Sequence, residues 1–193
     1  MNIFYLDKNP KICATMHCDK HVVKMIIEYA QLLSTAHRVL DGTSNNVLTK
    51  SKRKYTTWIH PNPLMESTLY KSTMRNHPSA IWVRESITHY EYLKELWVHL
   101  CDEYTHRYGK THSTYIKLKD VLKINPTLIP TLPFKDPPPA MSHFSDCIVP
   151  NNSVYSYYNY YIVAKNYFAR WTNRPIPEWY SKGLTTKKLY ANL

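Results

Sequence analysis

From His17 to Leu40 the chain reads HCDKHVVKMIIEYAQLLSTAHRVL, a segment that leaves few choices of architecture. Val22, Val23, Met25, Ile26, Ile27, Tyr29, Ala30, Leu32 and Leu33 surround a helix with apolar contacts and leave no broad solvent face. The exceptions fall on one line. His21, Lys24, Glu28, Gln31 and Thr35 follow at steps of three, four, three and four, the spacing that stacks side chains along one helical edge. Such a row is either a hydrogen-bonded seam or the wall of a cleft. Burying an uncharged polar group without a partner costs roughly 2–7 kcal/mol, and a charge costs more, so the sequence favours the cleft. The plainer alternative is a Lys24–Glu28 pair solvating an exposed edge.

The chain has 193 residues, enough for one domain with a real core. The pattern predicts an all-α fold: a single compact helical domain over residues 1–180 with a long proline-rich loop, followed by a basic tail at 181–193. An apolar start (MNIFYL) precedes a short helix opened by Pro10. The long helix follows and stops before Gly42. Residues 41–61 read as a mobile basic loop around Lys50, Lys52, Arg53 and Lys54. Asn62-Pro63 and His77-Pro78 open further helices, and Ile87, Tyr90, Leu93, Leu96, Leu100 and Tyr104 mark a long core helix closed by Gly109. A shorter helix is expected over about 113–123. Prolines 126, 130, 133, 137, 138, 139 and 150 exclude regular structure between Asn125 and Pro150. A last, tyrosine-rich helix is expected from Ser153 to Trp171.

A net charge of +11, from 25 Lys and Arg against 14 Asp and Glu, points to an anionic partner, nucleic acid first. No apolar run approaches the roughly 18 residues of a membrane span, and no signal peptide is visible, which favours a cytoplasmic protein without membrane attachment. Gly42, Gly109 and Gly183 are the only glycines, so phosphate-cradling glycine loops are excluded and no cofactor is called for. The four cysteines read as reduced thiols.

Four groups of residues are suited to chemistry or binding. On the helical edge, Glu28 lies one turn from Lys24 and two from His21, bringing carboxylate, ammonium and imidazole together. Cys13, His17, Cys18 and His21 form C-x3-H-C-x2-H, a possible zinc set, although adjacent His17 and Cys18 would have to point the same way. The basic run, with Tyr55 and Trp58 beside it, suits a nucleic-acid backbone and a stacking or wedging ring. His77, Arg107, Lys110, Lys165 and Arg170 are further candidates for phosphate contact.

These residues resemble a family: the phage and bacterial pyrimidine-dimer DNA glycosylases of the endonuclease V type, small all-α enzymes that excise a damaged base and nick the strand. The start MNIF, the helix with His21-x6-Glu28, the NHPSAIW segment ahead of the long helix and the PEWY ending at 177–180 carry the likeness. The resemblance implies that the α-amine of residue 1 attacks C1′ of the damaged nucleotide to form an imine, that Glu28 assists ring opening and elimination, and that His21 supports the site. α-Amines titrate at about 7.7–8.0 against about 10.4 for lysine, which suits them to this role. Asn2 is large enough that Met1 is expected to be retained, and Ile27 and Gln31 stand where the family has arginines beside the glutamate. The expected partner is double-stranded DNA, bound by a monomer. Two other classes fit the same residues, a viral enzyme that modifies DNA bases and a non-enzymatic nucleic-acid-binding or host-inhibitor protein.

Overall fold

The computed structural model describes residues 1–48, 51–52, 54–186 and 189–191. Helix α2 (Asp19–Asp41) is the axis of the molecule. The long α5 (Ile87–Tyr108) packs against both α2 and the short α1 (Pro10–Met16), and α4 (Pro78–Glu85) fills the angle between α2 and α5. Leu93, Leu96 and Leu100 are fully buried on the inner face of α5, each contributing about 1.5–3 kcal/mol. The Trp97 indole reaches across to donate to the Ile26 carbonyl at 3.1 Å. Capping follows the sequence. Asn9 and Asn62 accept from the first backbone amides of α1 and α3 (Pro63–Thr68), each with proline at the opening turn. Gly109 closes α5 in the left-handed conformation (φ 67°) that its missing Cβ permits.

The fold is not all-α. Residues 43–59, expected as a loop, contain an antiparallel hairpin of β1 (Thr43–Leu48) and β2 (Lys54–Ile59), with Thr43 opposite Ile59 and Leu48 opposite Lys54. β2 carries Tyr55, Thr56, Thr57, Trp58 and Ile59, a β-branched and aromatic run whose strand preference outweighs the neighbouring charges. Gly42 joins α2 to the hairpin where space is short: a Cβ there would lie 2.4 Å from the Arg38 carbonyl oxygen. The helix expected over about 113–123 is shorter, α6 (Ser113–Leu118) ending before 123. The tyrosine-rich helix also changes character. α7 (Ser153–Tyr160) passes into a π-helical turn at Tyr161–Lys165, and α8 (Glu178–Thr186) continues past residue 181. Tyr190, beyond α8, is held by its amide on Asn159 Oδ1 at 2.7 Å.

Two irregular segments do structural work. The proline-rich stretch is a pinned strap. Pro130 O accepts from Ile87 N, Leu132 O from Ser86 Oγ, Lys135 O from the Trp82 indole and Pro137 O from Ser153 Oγ. The N-terminal segment threads the core in extended form, with Ile3, Tyr5 and Leu6 fully buried and Phe4 nearly so. Phe4 N donates to the Tyr29 hydroxyl at 3.1 Å, Leu6 N to Cys13 Sγ at 3.3 Å, and the Tyr158 hydroxyl donates to Leu6 O at 3.0 Å. Among the described residues no helix is long and apolar enough to cross a membrane.

Candidate active site

The buried N-terminal segment fixes where the chain begins. Its amine lies 3.8 Å from Glu28 Oε2, and Lys24 Nζ lies 3.2 Å from Glu28 Oε1, so the carboxylate holds one cation on each oxygen. The exposures differ usefully. The Met1 side chain is 6% accessible and that of Glu28 16%, whereas Lys24 is 70% exposed. The amine and carboxylate therefore sit at the floor of the surface and Lys24 at its rim.

His77 lies within electrostatic range of this pair. It caps α4 through Nδ1, which accepts from Ser79 N at 3.2 Å, so a neutral ring carries its proton on Nε2. Burial pushes its pKa down, the nearby α-amine adds to the effect, and Glu28 opposes it. His77 also lines a cleft of about 580 Å³ whose other walls include Thr73, Met74, Arg75 and, from the hairpin, Lys54 and Tyr55. It belongs both to the electrostatic surroundings of the amine–carboxylate pair and to the wall of the cleft. The sequence placed His77 among phosphate contacts, and nothing local in NHPSAIW shows that it approaches residue 1.

The polar row of α2 divides into three parts. At one end His21 is buried: Nδ1 bonds the Tyr161 hydroxyl at 2.5 Å, and the ring stacks on Phe4 at 4.0 Å. Burial, then the charges of His17, Lys165 and Lys24, hold its pKa well below the ordinary histidine value, so the ring is neutral. At the other end Thr35 is sealed against the backbone of Thr73. Lys24, Glu28 and Gln31 between them remain accessible. Cys13, His17, Cys18 and His21 do not form a common ligand set. His17 bonds the Cys13 carbonyl and the Tyr29 hydroxyl, and Cys13 Sγ donates to the Phe4 carbonyl.

Of the expected nucleic-acid contacts, Lys50 and Arg53 lie outside the described residues. Lys52, Lys54, Lys110 and Arg170 are exposed, as is Tyr55, while Lys165 covers the Tyr160 ring at 4.4 Å. Trp58 is buried, with the Arg75 guanidinium 5.0 Å above its ring, and so is not a free wedge. Arg107 requires correction. Its guanidinium is fully buried and donates to Glu103, Asp19 and the Thr15 carbonyl, while Arg174 takes the other side of Glu103. It cross-links α5 to the start of α2 and has no donor turned toward a phosphate. Glu103 is one helical turn away, but Asp19 and Thr15 are distant in sequence, so only the pairing with Glu103 could have been read from spacing.

No curated protein and no solved structure is a significant match to the chain. A family model described as pyrimidine dimer DNA glycosylase does match, over residues 1–116. That span holds the N-terminal segment, α1 to α5, the hairpin, Glu28 and His77, which is to say every residue that builds the amine–carboxylate floor and the cleft beside it. With more than half of its length so matched, the chain belongs to the pyrimidine dimer DNA glycosylase family.

Proposed function

We propose that the protein is a DNA base-excision enzyme, a glycosylase with abasic-site lyase activity, in which the Met1 amine is the nucleophile and Glu28 the acid–base group. The observation that carries this reading is the 3.8 Å approach of the amine to Glu28 Oε2 at a partly open floor. The amine attacks C1′ as the bond from C1′ to the damaged base breaks. Loss of the amine proton and opening of the sugar, with O4′ leaving C1′ and taking a proton, give an imine between residue 1 and C1′. Glu28 is placed to accept the amine proton and return it to O4′. Removal of a C2′ proton then expels the 3′ phosphate and cuts the strand. Lys24, on the second oxygen of Glu28 and largely exposed, is suited to a flanking phosphate. His77, within electrostatic range of the pair, keeps Nε2–H as its donor when neutral.

C1′ of a stacked nucleotide is poorly accessible, so the duplex must be distorted. That costs a few kcal/mol and least for a damaged base. The cleft next to His77 and the hairpin with Lys52, Lys54 and Tyr55 supply the space, the cations and an exposed ring for this distortion. The test is borohydride trapping on duplexes carrying an abasic site or a pyrimidine dimer. Wild type forms a covalent adduct that peptide mapping assigns to residue 1. Glu28→Gln keeps DNA affinity but loses strand cleavage by about 10²–10⁴-fold, the usual contribution of a general acid–base group. Cleavage without an adduct, or an adduct on a lysine, would refute the assignment.

A further inference from the structure

The opposite end of α2 carries a second cluster. His37 and Asp41, one helical turn apart, meet His60, which follows β2 directly, and one ligand atom from each lies within 4.8 Å of the others. His60 Nε2 is 3.8 Å from Asp41 Oδ2, too far for a hydrogen bond. The cluster is enclosed: His37 is fully buried, and the side chains of His60 and Asp41 are 6% and 9% exposed. Two imidazole nitrogens in it, His37 Nδ1 and His60 Nε2, are buried without a hydrogen-bond partner.

The remaining polar atoms of His37 and Asp41 are occupied in the way metal ligands are commonly oriented, whereas His60 Nδ1 accepts a hydrogen bond where a ligating ring would donate one. His37 Nε2 bonds the Tyr90 hydroxyl at 2.8 Å. His60 Nδ1 accepts from Asn62 N at 3.1 Å, and the Asp41 oxygens accept from Thr127 N at 2.8 Å and Leu128 N at 2.9 Å. We propose that His37, Asp41 and His60 bind one divalent transition-metal ion of the zinc class, with water as the fourth donor. Two imidazoles and a carboxylate are borderline ligands of the kind zinc takes. Bonds of about 2.0–2.2 Å place ligand atoms roughly 3.3–3.5 Å apart, so the widest separation in the cluster, up to 4.8 Å, closes by about 1.3–1.5 Å. Binding at His60 Nε2 moves that ring's proton to Nδ1 and releases the amide of Asn62, which is exposed and turns to solvent. Burial lowers the His37 pKa to about 4, with His60 and Lys94 acting in the same direction and Asp41 and the backbone of Ile124 opposing it.

With His37 fully buried and His60 and Asp41 barely exposed, the ion's role is structural. The ion would join the end of α2 to the base of the hairpin and, through the amides held by Asp41, to the start of the strap. It would therefore set the angle at which the basic strand stands over the cleft.

The experiment titrates full-length, chelator-treated protein with Co²⁺ followed by visible absorption, and with Zn²⁺ followed by calorimetry and metal analysis. Wild type takes up one equivalent with the intense d–d bands of four-coordinate Co²⁺, and Zn²⁺ raises its Tm. Asp41→Asn and His60→Gln, checked for folding by circular dichroism, each weaken binding at least tenfold and abolish the Tm rise. No d–d band in wild type overturns the proposal. So does a Zn²⁺ response equal in wild type and His60→Gln, or a thiolate charge-transfer band that moves the metal to a cysteine.

Discussion

Replacing Glu66 by glutamine tests how the cleft is held in shape. Arg38, on α2, is fully buried and donates to the carbonyls of Trp58, Glu66, Leu69 and Tyr70, gathering the hairpin and the segment after α3 around one guanidinium. Among the described residues its counter-charge is the Glu66 carboxylate, which also accepts from His60 N at 2.8 Å and Lys71 Nζ at 3.0 Å. Partial burial raises the Glu66 pKa, but the His60 amide, Lys71 and Arg38 outweigh it and lower the value from 4.5 to about 2. A shift of that size corresponds to an upper limit of about 3.4 kcal/mol. The side chain is 26% exposed, and solvent screening reduces the expected contribution to about 2 kcal/mol.

The sign follows from linkage. A carboxylate with a depressed folded pKa contributes its full stability above its unfolded value near 4.5 and loses it as pH falls through about 2. Glu66→Gln should therefore cost about 2 kcal/mol at pH 7, seen as a lower urea midpoint with an unchanged slope and a Tm lower by about 4–8 °C. By pH 3 the gap between wild type and variant should have shrunk to about 40% of its neutral value. A gap that stays constant from pH 7 to pH 3 would show that the charge on Glu66 is not what holds Arg38, and the reasoning would fail.

Tyr161→Phe removes the hydroxyl on which the buried His21 Nδ1 depends and should cost about 1–3 kcal/mol, lowering Tm by roughly 2–12 °C in a thermal melt. An unchanged Tm would mean that His21 finds another partner. Lys54 and Arg107 should separate in the salt dependence of DNA binding. Lys54→Ala should flatten the plot of log K against log salt by about 0.9, while Arg107→Met should leave the slope unchanged and destabilise the fold by about 3–5 kcal/mol. A slope change in the Arg107 variant under conditions where it remains folded would restore that residue to the DNA-contact surface.

The sequence disclosed what short-range patterns can carry. The apolar positions of α2 and α5, the Asn-x caps and the left-handed Gly109 are periodic or local signals, and each corresponds to an element of the fold. The hairpin was legible too, in Tyr55 to Ile59, but the adjacent cations drew the reading toward a loop. Hidden from sequence were contacts that depend on chain closure. Arg107 resembles a free surface cation until Asp19 and Arg174 arrive from opposite ends of the molecule. His77 resembles a helix cap until the N-terminal segment brings the amine within electrostatic range of it. The Met1–Glu28 approach came from the family likeness, since no periodicity relates the first residue of an extended segment to the third turn of a later helix.

Chain termini are ordinarily the first parts of a protein to fray. Here Ile3 to Leu6 are wound into the interior, so the leading residue inherits the rigidity of the whole domain. Amide exchange at those four positions should follow global opening, with no faster local route. For the same reason there is little slack to absorb additional residues ahead of Met1: a purification tag or a blocking acyl group placed there displaces the amine from Glu28 while leaving the fold behind it intact.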